Sequence, residues 1–365
     1  MKIIRHKTKT IKIGNVRIGG NNPIAIQSMT KTRTADIKST TKQIEELASL
    51  GAEIVRLAVR DSRDAEAIKK IKQEACIPLV ADIHFDWRLA LQAIDNGADK
   101  IRLNPGNIYK KEQIKEIVSA AKLAKIPIRV GVNSGSVRKP KAPRLSGKQE
   151  SSKLRAGAQQ LVDSALDYIR ILERLKFYDI VISLKASSVL DTIEAYRKIS
   201  KLCAYPLHLG VTATGLPLQG AIKSSVAIGA LLLEGIGDTL RISLTDRPQE
   251  EVRVARAILE ALGLRSFGPE IISCPTCGRC EVNLVEIVRN LENKLAMSDH
   301  KSSRPLKMAV MGCMVNGPGE ASEADIGVAF GRKQGLLFTN GRAVKKVYFS
   351  DCIDALLKEM RRTNV

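Results

Sequence analysis

An α/β architecture in two parts follows from three features of the chain. Apolar strand-like runs recur eight times between residues 24 and 244. Stretches with helical spacing of apolar residues separate them. Past Leu264 this rhythm breaks at a cysteine-rich segment that opens a second, shorter pattern. Together these predict a (β/α)8 TIM-type barrel over residues 1–264 and a small α/β domain over 265–365.

The elements can be justified in order. TIKIGNVRIGG alternates apolar and polar residues around Gly14-Asn15 and reads as a β-hairpin. The eight runs are IAIQSM (24–29), EIVRLAV (53–59), PLVADIHF (78–85), KIRLNPG (100–106), PIRVGVN (127–133), DIVISLKA (179–186), PLHLGVTA (206–213) and DTLRISL (238–244). TTKQIEELASLG (40–51) and EEVRVARAILEALG (250–263) are typical of the helical stretches between and after them. Eight parallel strands are what a closed barrel needs, and burial on both faces explains the near-continuous apolar runs. An open, doubly wound sheet is the rival arrangement. After the fifth strand, SGSVRKPKAPRLSGKQESSKLR (134–155) is basic and rich in Ser, Pro and Gly, which predicts a mobile loop at the barrel mouth.

SFGPE (266–270) reads as a linker. In the second domain EVNLVEIVRNLENKL (281–295) and CIDALLKEMRR (352–362) have helical spacing. PLKMAVMGC (305–313), DIGVAF (325–330), GLLFTN (335–340) and KKVYF (345–349) read as strands.

Composition narrows the class. The net charge is +21, and residues 1–265 hold 45 Lys+Arg against 27 Asp+Glu, while the remainder holds 14 against 11. A basic first part is built to receive something anionic. Nucleic acid is the usual suspect, but aromatics make up only 4% of the chain, so stacking platforms are scarce. No run approaches the ~18–20 apolar residues of a membrane span, and the start MKIIRHKTKTIK lacks a signal peptide's apolar core. The expectation is a soluble, cytoplasmic protein that engages neither nucleic acid nor membrane. Cys76, Cys203 and Cys352 stand singly and read as small core residues.

The remaining cysteines carry chemistry. SCPTCGRC (273–280) supplies Cys274, Cys277 and Cys280; MGCMVNGPGE (311–320) supplies Cys313 and, across a Gly-Pro-Gly turn, Glu320. Thiolates drawn from two loops, without secretory features, point to a metal or cluster rather than to disulfides. A zinc ribbon would need a second C-x2-C pair. The C-x2-C-x2-C run matches the first three ligands of a bacterial ferredoxin, which favours an iron–sulfur site with Cys313 as remote ligand. Spacing does not decide which three of the four cysteines bind. Glu320 reads either as an oxygen ligand that substrate displaces or as a carboxylate at a helix N-terminus.

Charge also stands where a barrel core should be apolar. Four strands carry Arg56, Arg102, Arg129 and Arg241, a fifth carries Lys185, and Asp82 and His84 share one face of the third strand. An unpaired buried guanidinium costs several kcal/mol. Either these groups pair internally with Glu53 and Asp82 or turn outward, or they await a common anionic ligand at the C-terminal mouth. Repetition on five strands favours the ligand. Asn133-Ser134-Gly135-Ser136, Thr212-Ala213-Thr214-Gly215 and Ser243 add polar donors at that end, sketching a polyphosphate pocket.

The phrases IQSM, EIVRLAV, ADIHF, RLNPGN, VGVNSGS, IKSS, GIGDTLRISLT, SCPTCGR and MGCMVNGPGE, in this order, closely resemble the 4-hydroxy-3-methylbut-2-enyl diphosphate synthase family of the methylerythritol phosphate isoprenoid pathway. The resemblance covers about residues 24–331. It implies a barrel joined to a [4Fe-4S] domain in the short bacterial form. The implied activity is reductive opening and dehydration of 2-C-methyl-D-erythritol 2,4-cyclodiphosphate with two electrons from reduced ferredoxin or flavodoxin. It makes Cys274, Cys277 and Cys313 the thiolate ligands and Glu320 the fourth ligand, leaving Cys280 without a role. It places Arg56, Arg102, Arg129, Asn133, Lys185, Thr212, Arg241 and Ser243 around the diphosphate and Asp82 near the reacting carbons. A head-to-tail homodimer, each cluster capping the partner's barrel, is implied as well. One departure stands out: the family reads T-E-A-G after strand seven, and this chain has Ala213 where the carboxylate belongs. The readings outside this family are a basic nucleic-acid-binding protein with a structural metal module and a barrel lyase with structural zinc.

Overall fold

A computed structural model describes residues 3–136, 150–296 and 306–363, and the chain divides into two compact units, Met1–Arg265 and Ser266–Val365. In the first unit, β1 (Ile11–Ile13) and β2 (Val16–Ile18) form an antiparallel hairpin. Its turn uses Gly14 at φ +56°, where a Cβ would come within 2.9 Å of Pro78. Eight parallel strands follow: β3 (Ala25–Met29), β4 (Ile54–Val59), β5 (Leu79–Ile83), β6 (Lys100–Leu103), β7 (Ile128–Asn133), β8 (Ile180–Lys185), β9 (His208–Leu209) and β10 (Thr239–Leu240). They pair in the order β8-β7-β6-β5-β4-β3-β10-β9. A bridge between Ile182 and Leu207, with the Ile182 amide donating to the Pro206 carbonyl at 2.9 Å, closes β8 onto β9. The sheet is a barrel, and the open arrangement is excluded.

The barrel helices are α1 (Ile37–Ser49), α2 (Ser62–Glu74), α3 (Arg88–Asp95), α4 (Lys111–Ala124), α5 (Glu150–Arg174), α6 (Val189–Leu202), α7 (Pro217–Leu233) and α8 (Pro248–Ala261). Local chemistry starts several of them. Asp36, Asp61 and Ser188 accept the backbone N–H three residues on, capping α1, α2 and α6. Pro217 and Pro248 open α7 and α8, where a missing N–H costs nothing.

Alternation along the strands sorts the barrel's interior from its wall. Leu57, Leu79, Ile83, Ile101, Val130, Ile180 and Ile182 are buried wall residues. At the strands' N-terminal end Ile11, Ile13 and Ile18 of the hairpin pack against Ala25, Ile54, Val80 and Val181, plugging the barrel floor. The mouth lies at the other end.

The second unit holds a five-stranded mixed sheet of β11 (Glu270–Ser273), β12 (Lys307–Met311), β13 (Ile326–Phe330), β14 (Gly335–Thr339) and β15 (Arg342–Val347), in that order. The first three strands are parallel and the last two antiparallel. The helices are α9 (Leu284–Ala296), α10 (Gly317–Ser322) and α11 (Cys352–Thr363). One face of the sheet packs Met308, Val310, Val328 and Phe330 with Leu284, Leu291, Leu356 and Met360. The other packs Ala309, Met311 and Ala329 with Ala321.

Several expectations shift. The last strand spans Arg342–Val347, so Tyr348 and Phe349 leave it; Phe349 instead packs edge-on against Phe330 at 5.5 Å. The supposed linker ends in β11, because Glu270 already bonds Leu306. Cys352 is buried and Cys203 half-buried, but Cys76 is exposed, just past the end of α2, and is no core residue. Of the loop expected over 134–155, residues 137–149 lie outside the described residues, and Glu150 already begins α5.

Candidate functional site

The barrel interior gathers the charged strand residues. Asp82 on β5 accepts from Arg102 Nη1 at 3.1 Å and lies 3.5 Å from Arg56 Nε and from His84 Nε2. Burial alone would raise its carboxyl, but Arg56, the His84 hydrogen bond and Arg102 outweigh that and hold it well below the usual carboxylate range. Arg102 also donates to the Gly131 carbonyl at 2.9 Å. With its amide oxygen turned toward Arg102, Asn133 accepts from Nη2 at 3.2 Å. Arg56 rests on Met29 Sδ at 2.8 Å, and Arg129 donates to Gln27 Oε1 at 3.1 Å. Arg241 lies 3.5 Å from Glu251, which α8 brings in and which Lys31 shares at 3.2 Å.

Internal pairing therefore accounts for part of the charge. Asp82 serves as expected. Glu53 does not: it precedes β4 at the floor, where it accepts from the Ile26 amide and from Arg265. None of the four strand arginines turns outward; Arg56, Arg102 and Arg129 are buried, and Arg241 nearly so. Counting Lys100 and Lys185, six basic side chains share this interior with the carboxylates of Asp82 and Glu251 among the described residues, and Lys31 reaches Glu251 from a more exposed position. Burial, followed by neighbouring arginines, pushes the Lys100 and Lys185 ammonium groups and the Arg129 guanidinium well below their ordinary values, and Arg241 down to about 10. Guanidinium keeps its proton at neutral pH, so this interior calls for an anion.

At the mouth, Asn133 and Lys185 pair in register at the ends of β7 and β8. Thr212 is half-buried, its amide bonded to the Ala186 carbonyl at 3.1 Å, and the Ser243 carbonyl accepts from Thr214 Oγ1. Ala213 stands at φ +52° in the same loop. Space for the long side chains comes from glycine. A Cβ on Gly131 would lie 2.4 Å from Arg102 Nε, and one on Gly210 would lie 2.7 Å from Lys185 Nζ.

Four interior residues escaped the sequence reading. Lys100 is 0% exposed, and its ammonium has no hydrogen-bond partner among the described residues. It stands two positions before Arg102, so period-two alternation would have found it. His208 bonds Thr239 Oγ1 at 2.8 Å through Nδ1 and faces Lys185 Nζ at 3.4 Å through Nε2. Gln27 and Glu251 complete the set; Glu251 comes from a helix, where no strand pattern points to it.

The second unit brings its thiols toward the ends of β11 and β12. The Gly312 amide donates to Cys274 Sγ at 3.3 Å. A Cβ on Gly312 would lie 2.4 Å from Cys280 Sγ and 3.5 Å from Cys274 Sγ, so glycine leaves the room these sulfurs occupy. The Val315 amide, helped against burial by the Asn316 amide and Arg279, lowers the Cys313 thiol below its ordinary value. Cys277 is exposed. Glu320 is an exposed side chain in the first turn of α10. Cys280 donates to the Val282 carbonyl at 3.2 Å, and both it and Cys274 pack against the core. The described residues do not gather three such ligands into one metal-ready group. Their chemistry still fits a thiolate-bound cluster, since soft sulfur ligands wrapped by backbone N–H donors are what such a cluster takes.

A profile of the GcpE TIM-barrel domain matches residues 8–256, and one of the GcpE protein C-terminal domain matches residues 270–362. Curated relatives carry the name 4-hydroxy-3-methylbut-2-en-1-yl diphosphate synthase (flavodoxin). That of Fusobacterium nucleatum is 51% identical over 97% of both chains. Lawsonia intracellularis has one 52% identical over 98% of this chain and 97% of its own. The Caldicellulosiruptor saccharolyticus protein is 53% identical over 97% of this chain and 98% of its own. With a barrel of buried cations, a separate cysteine-bearing unit and both domain profiles matched in order, the chain belongs to the GcpE family.

Proposed function

We propose that this protein is an iron–sulfur oxidoreductase that converts 2-C-methyl-D-erythritol 2,4-cyclodiphosphate to (E)-4-hydroxy-3-methylbut-2-enyl diphosphate. Two electrons and one proton enter; the ring C–O bond opens, one hydroxyl leaves as water, and a carbon–carbon double bond forms. The observation that carries this reading is near-full-length identity of 51–53% to relatives bearing that name. The surplus of buried positive charge in the barrel agrees with an anionic substrate. The same names give the nucleic-acid alternative no support.

In this reading Arg56, Arg102, Arg129, Lys185 and Arg241 hold the diphosphate, with Asn133, Thr212 and Ser243 as neutral donors. Asp82, ionised between two arginines, orients them and stands nearest the reacting carbons. Cys274, Cys277 and Cys313 would hold a [4Fe-4S] cluster, with Glu320 as the exchangeable oxygen ligand. When bound, that cluster supplies electrons one at a time, which side chains cannot do. Reduced flavodoxin is the donor.

A head-to-tail homodimer completes this reading, as the family resemblance implies, with the cluster of a second copy capping each barrel mouth. On α7, Leu218, Ile222 and Val226 are each more than half exposed, an apolar stripe that this second copy would cover.

Anaerobic turnover of the cyclodiphosphate by cluster-loaded protein with reduced flavodoxin tests the function. Product formation supports it. No product in the presence of an intact, reducible cluster would overturn it.

A further inference from the structure

We infer that the surface beside Cys313 is the docking site for an acidic one-electron carrier protein. This rests on the function proposed above and adds the place where electrons enter. A depression of about 490 Å³ is lined by Arg279, Cys313, Met314, Val315, Gly331 and Arg332. Met314 is 42% exposed and Val315 66% exposed, two adjacent large apolar side chains in solvent directly after a candidate ligand. Arg279 and Arg332 stand on its wall, and Lys333 follows in the turn between β13 and β14; Glu281 is the acidic residue lining it.

The patch combines an apolar centre with a charged rim, the composition of a surface that binds a partner rather than one that only faces water. Its sign is local, since residues 266–365 as a whole are nearly balanced at 14 basic to 11 acidic. A positive rim speeds encounter with an acidic partner and orients it without tight binding, which suits a carrier that must leave after each electron. Electron transfer weakens steeply with distance, so a carrier has to sit on the ligand shell. This depression has Cys313 in its lining. A diphosphate makes other demands: buried, convergent donors such as those of the barrel, not exposed arginines beside Met314 and Val315. Each docking oxidises the reduced carrier by one electron, and two dockings supply one turnover.

The test uses the full-length, cluster-loaded protein with a purified bacterial flavodoxin. Titration calorimetry at low salt should show Arg332→Glu raising the flavodoxin Kd at least tenfold and flattening its salt dependence. Arg342→Glu, an exposed site at the opposite end of the β14–β15 pair, should change Kd less than twofold. Steady-state turnover of Arg332→Glu should show a raised KM for flavodoxin, with turnover driven by dithionite-reduced methyl viologen unchanged. An unchanged Kd, an equal loss in Arg342→Glu, or a parallel loss with viologen would overturn the docking site. Wild-type protein inactive with viologen would instead sink the functional reading, and the Kd comparison would still decide the docking site.

Discussion

The barrel interior holds its charged groups before any ligand arrives, whereas the cysteine loops leave Cys277 and Glu320 to solvent and the other thiols half-buried. Asp82 grips Arg102 and Arg56, Gln27 holds Arg129, and Glu251 faces Arg241, all in a buried space. In the second unit Cys277 and Glu320 are exposed, and the N–H donors of Gly312, Val315 and Asn316 supply the main order around the sulfurs. The difference follows from the strength of what each site is to bind. Hydrogen bonds to a diphosphate contribute little if the donors must first be ordered, so preorganisation decides affinity. Metal–thiolate bonds are strong enough to order their own loops. One site is stiff and electrostatically strained, the other soft.

The largest effect should come from the soft site. Cys274→Ser, Cys277→Ser and Cys313→Ser are each expected to abolish the cluster and with it turnover. Cys280→Ser should keep iron and sulfide near the wild-type level, because the ligand set implied by the family resemblance is complete without it and its thiol is engaged with the Val282 carbonyl. Iron and acid-labile sulfide analysis of anaerobically purified variants decides. A colourless Cys280→Ser beside a brown Cys313→Ser would reverse the ligand assignment.

At the stiff site, function and stability should move in opposite directions. Arg129→Met removes a charge-assisted contact and should weaken diphosphate affinity by roughly 1.5–3 kcal/mol. The same change removes a buried, under-compensated cation, so the ligand-free barrel should gain about 1–4 kcal/mol. Calorimetric titration with the cyclodiphosphate and denaturant melts of ligand-free protein measure the two. A loss of both would mean that Arg129 is a structural residue.

Lys100 sharpens the point through pH. Burial and the nearby Arg129 and Arg56 hold its ammonium well below the usual lysine value. Between that depressed value and the unfolded value of about 10.4, the unfolded chain binds more protons than the native one. Stability of the ligand-free protein should therefore rise with pH across this window, by at most about 1.4 kcal/mol per pH unit for each such lysine. It should be lost as pH falls through the native value. Lys100→Met should reduce the slope, and bound pyrophosphate should flatten it. Denaturation midpoints from pH 7 to 10 report it; identical slopes in wild type and Lys100→Met would show that Lys100 is already compensated.

What was legible in the chain divides along the same line. Strand rhythm announced the barrel because parallel strands buried on both faces must be apolar, and Arg56, Arg102, Arg129 and Arg241 stood out against that rule. Lys100 and His208 obey the same alternation and were passed over because KIRL and LHLG look like ordinary strand ends. Glu251 could not be found this way, since its approach to Arg241 is a tertiary fact. In the second unit the cysteines were plain, but β11 was hidden in a short, exposed, polar-flanked segment with a weak period. The room for the Cys280 sulfur depends on Gly312, thirty-two residues away in sequence, which no spacing rule connects to it.

The smallest expected effect compares one strained backbone position from each region. Ala213, beyond β9, stands at φ +52°, and Thr276, between Cys274 and Cys277, at φ +50°. The left-handed region costs an L-residue roughly 1–2 kcal/mol, more for a β-branched side chain than for alanine. Glycine relieves that strain but loses about 0.5–1 kcal/mol through the greater freedom of its unfolded chain. Ala213→Gly should accordingly leave the barrel's stability within about 0.5 kcal/mol of wild type. Thr276→Gly should stabilise the cluster-free second unit by up to about 1 kcal/mol. Denaturant unfolding of cluster-free protein, followed by a probe in each unit, separates the two. Should Thr276→Gly destabilise, the threonine side chain is making a contact that holds Cys274 and Cys277 in place. The cysteine loop would then be partly preorganised, and the contrast with the barrel would narrow.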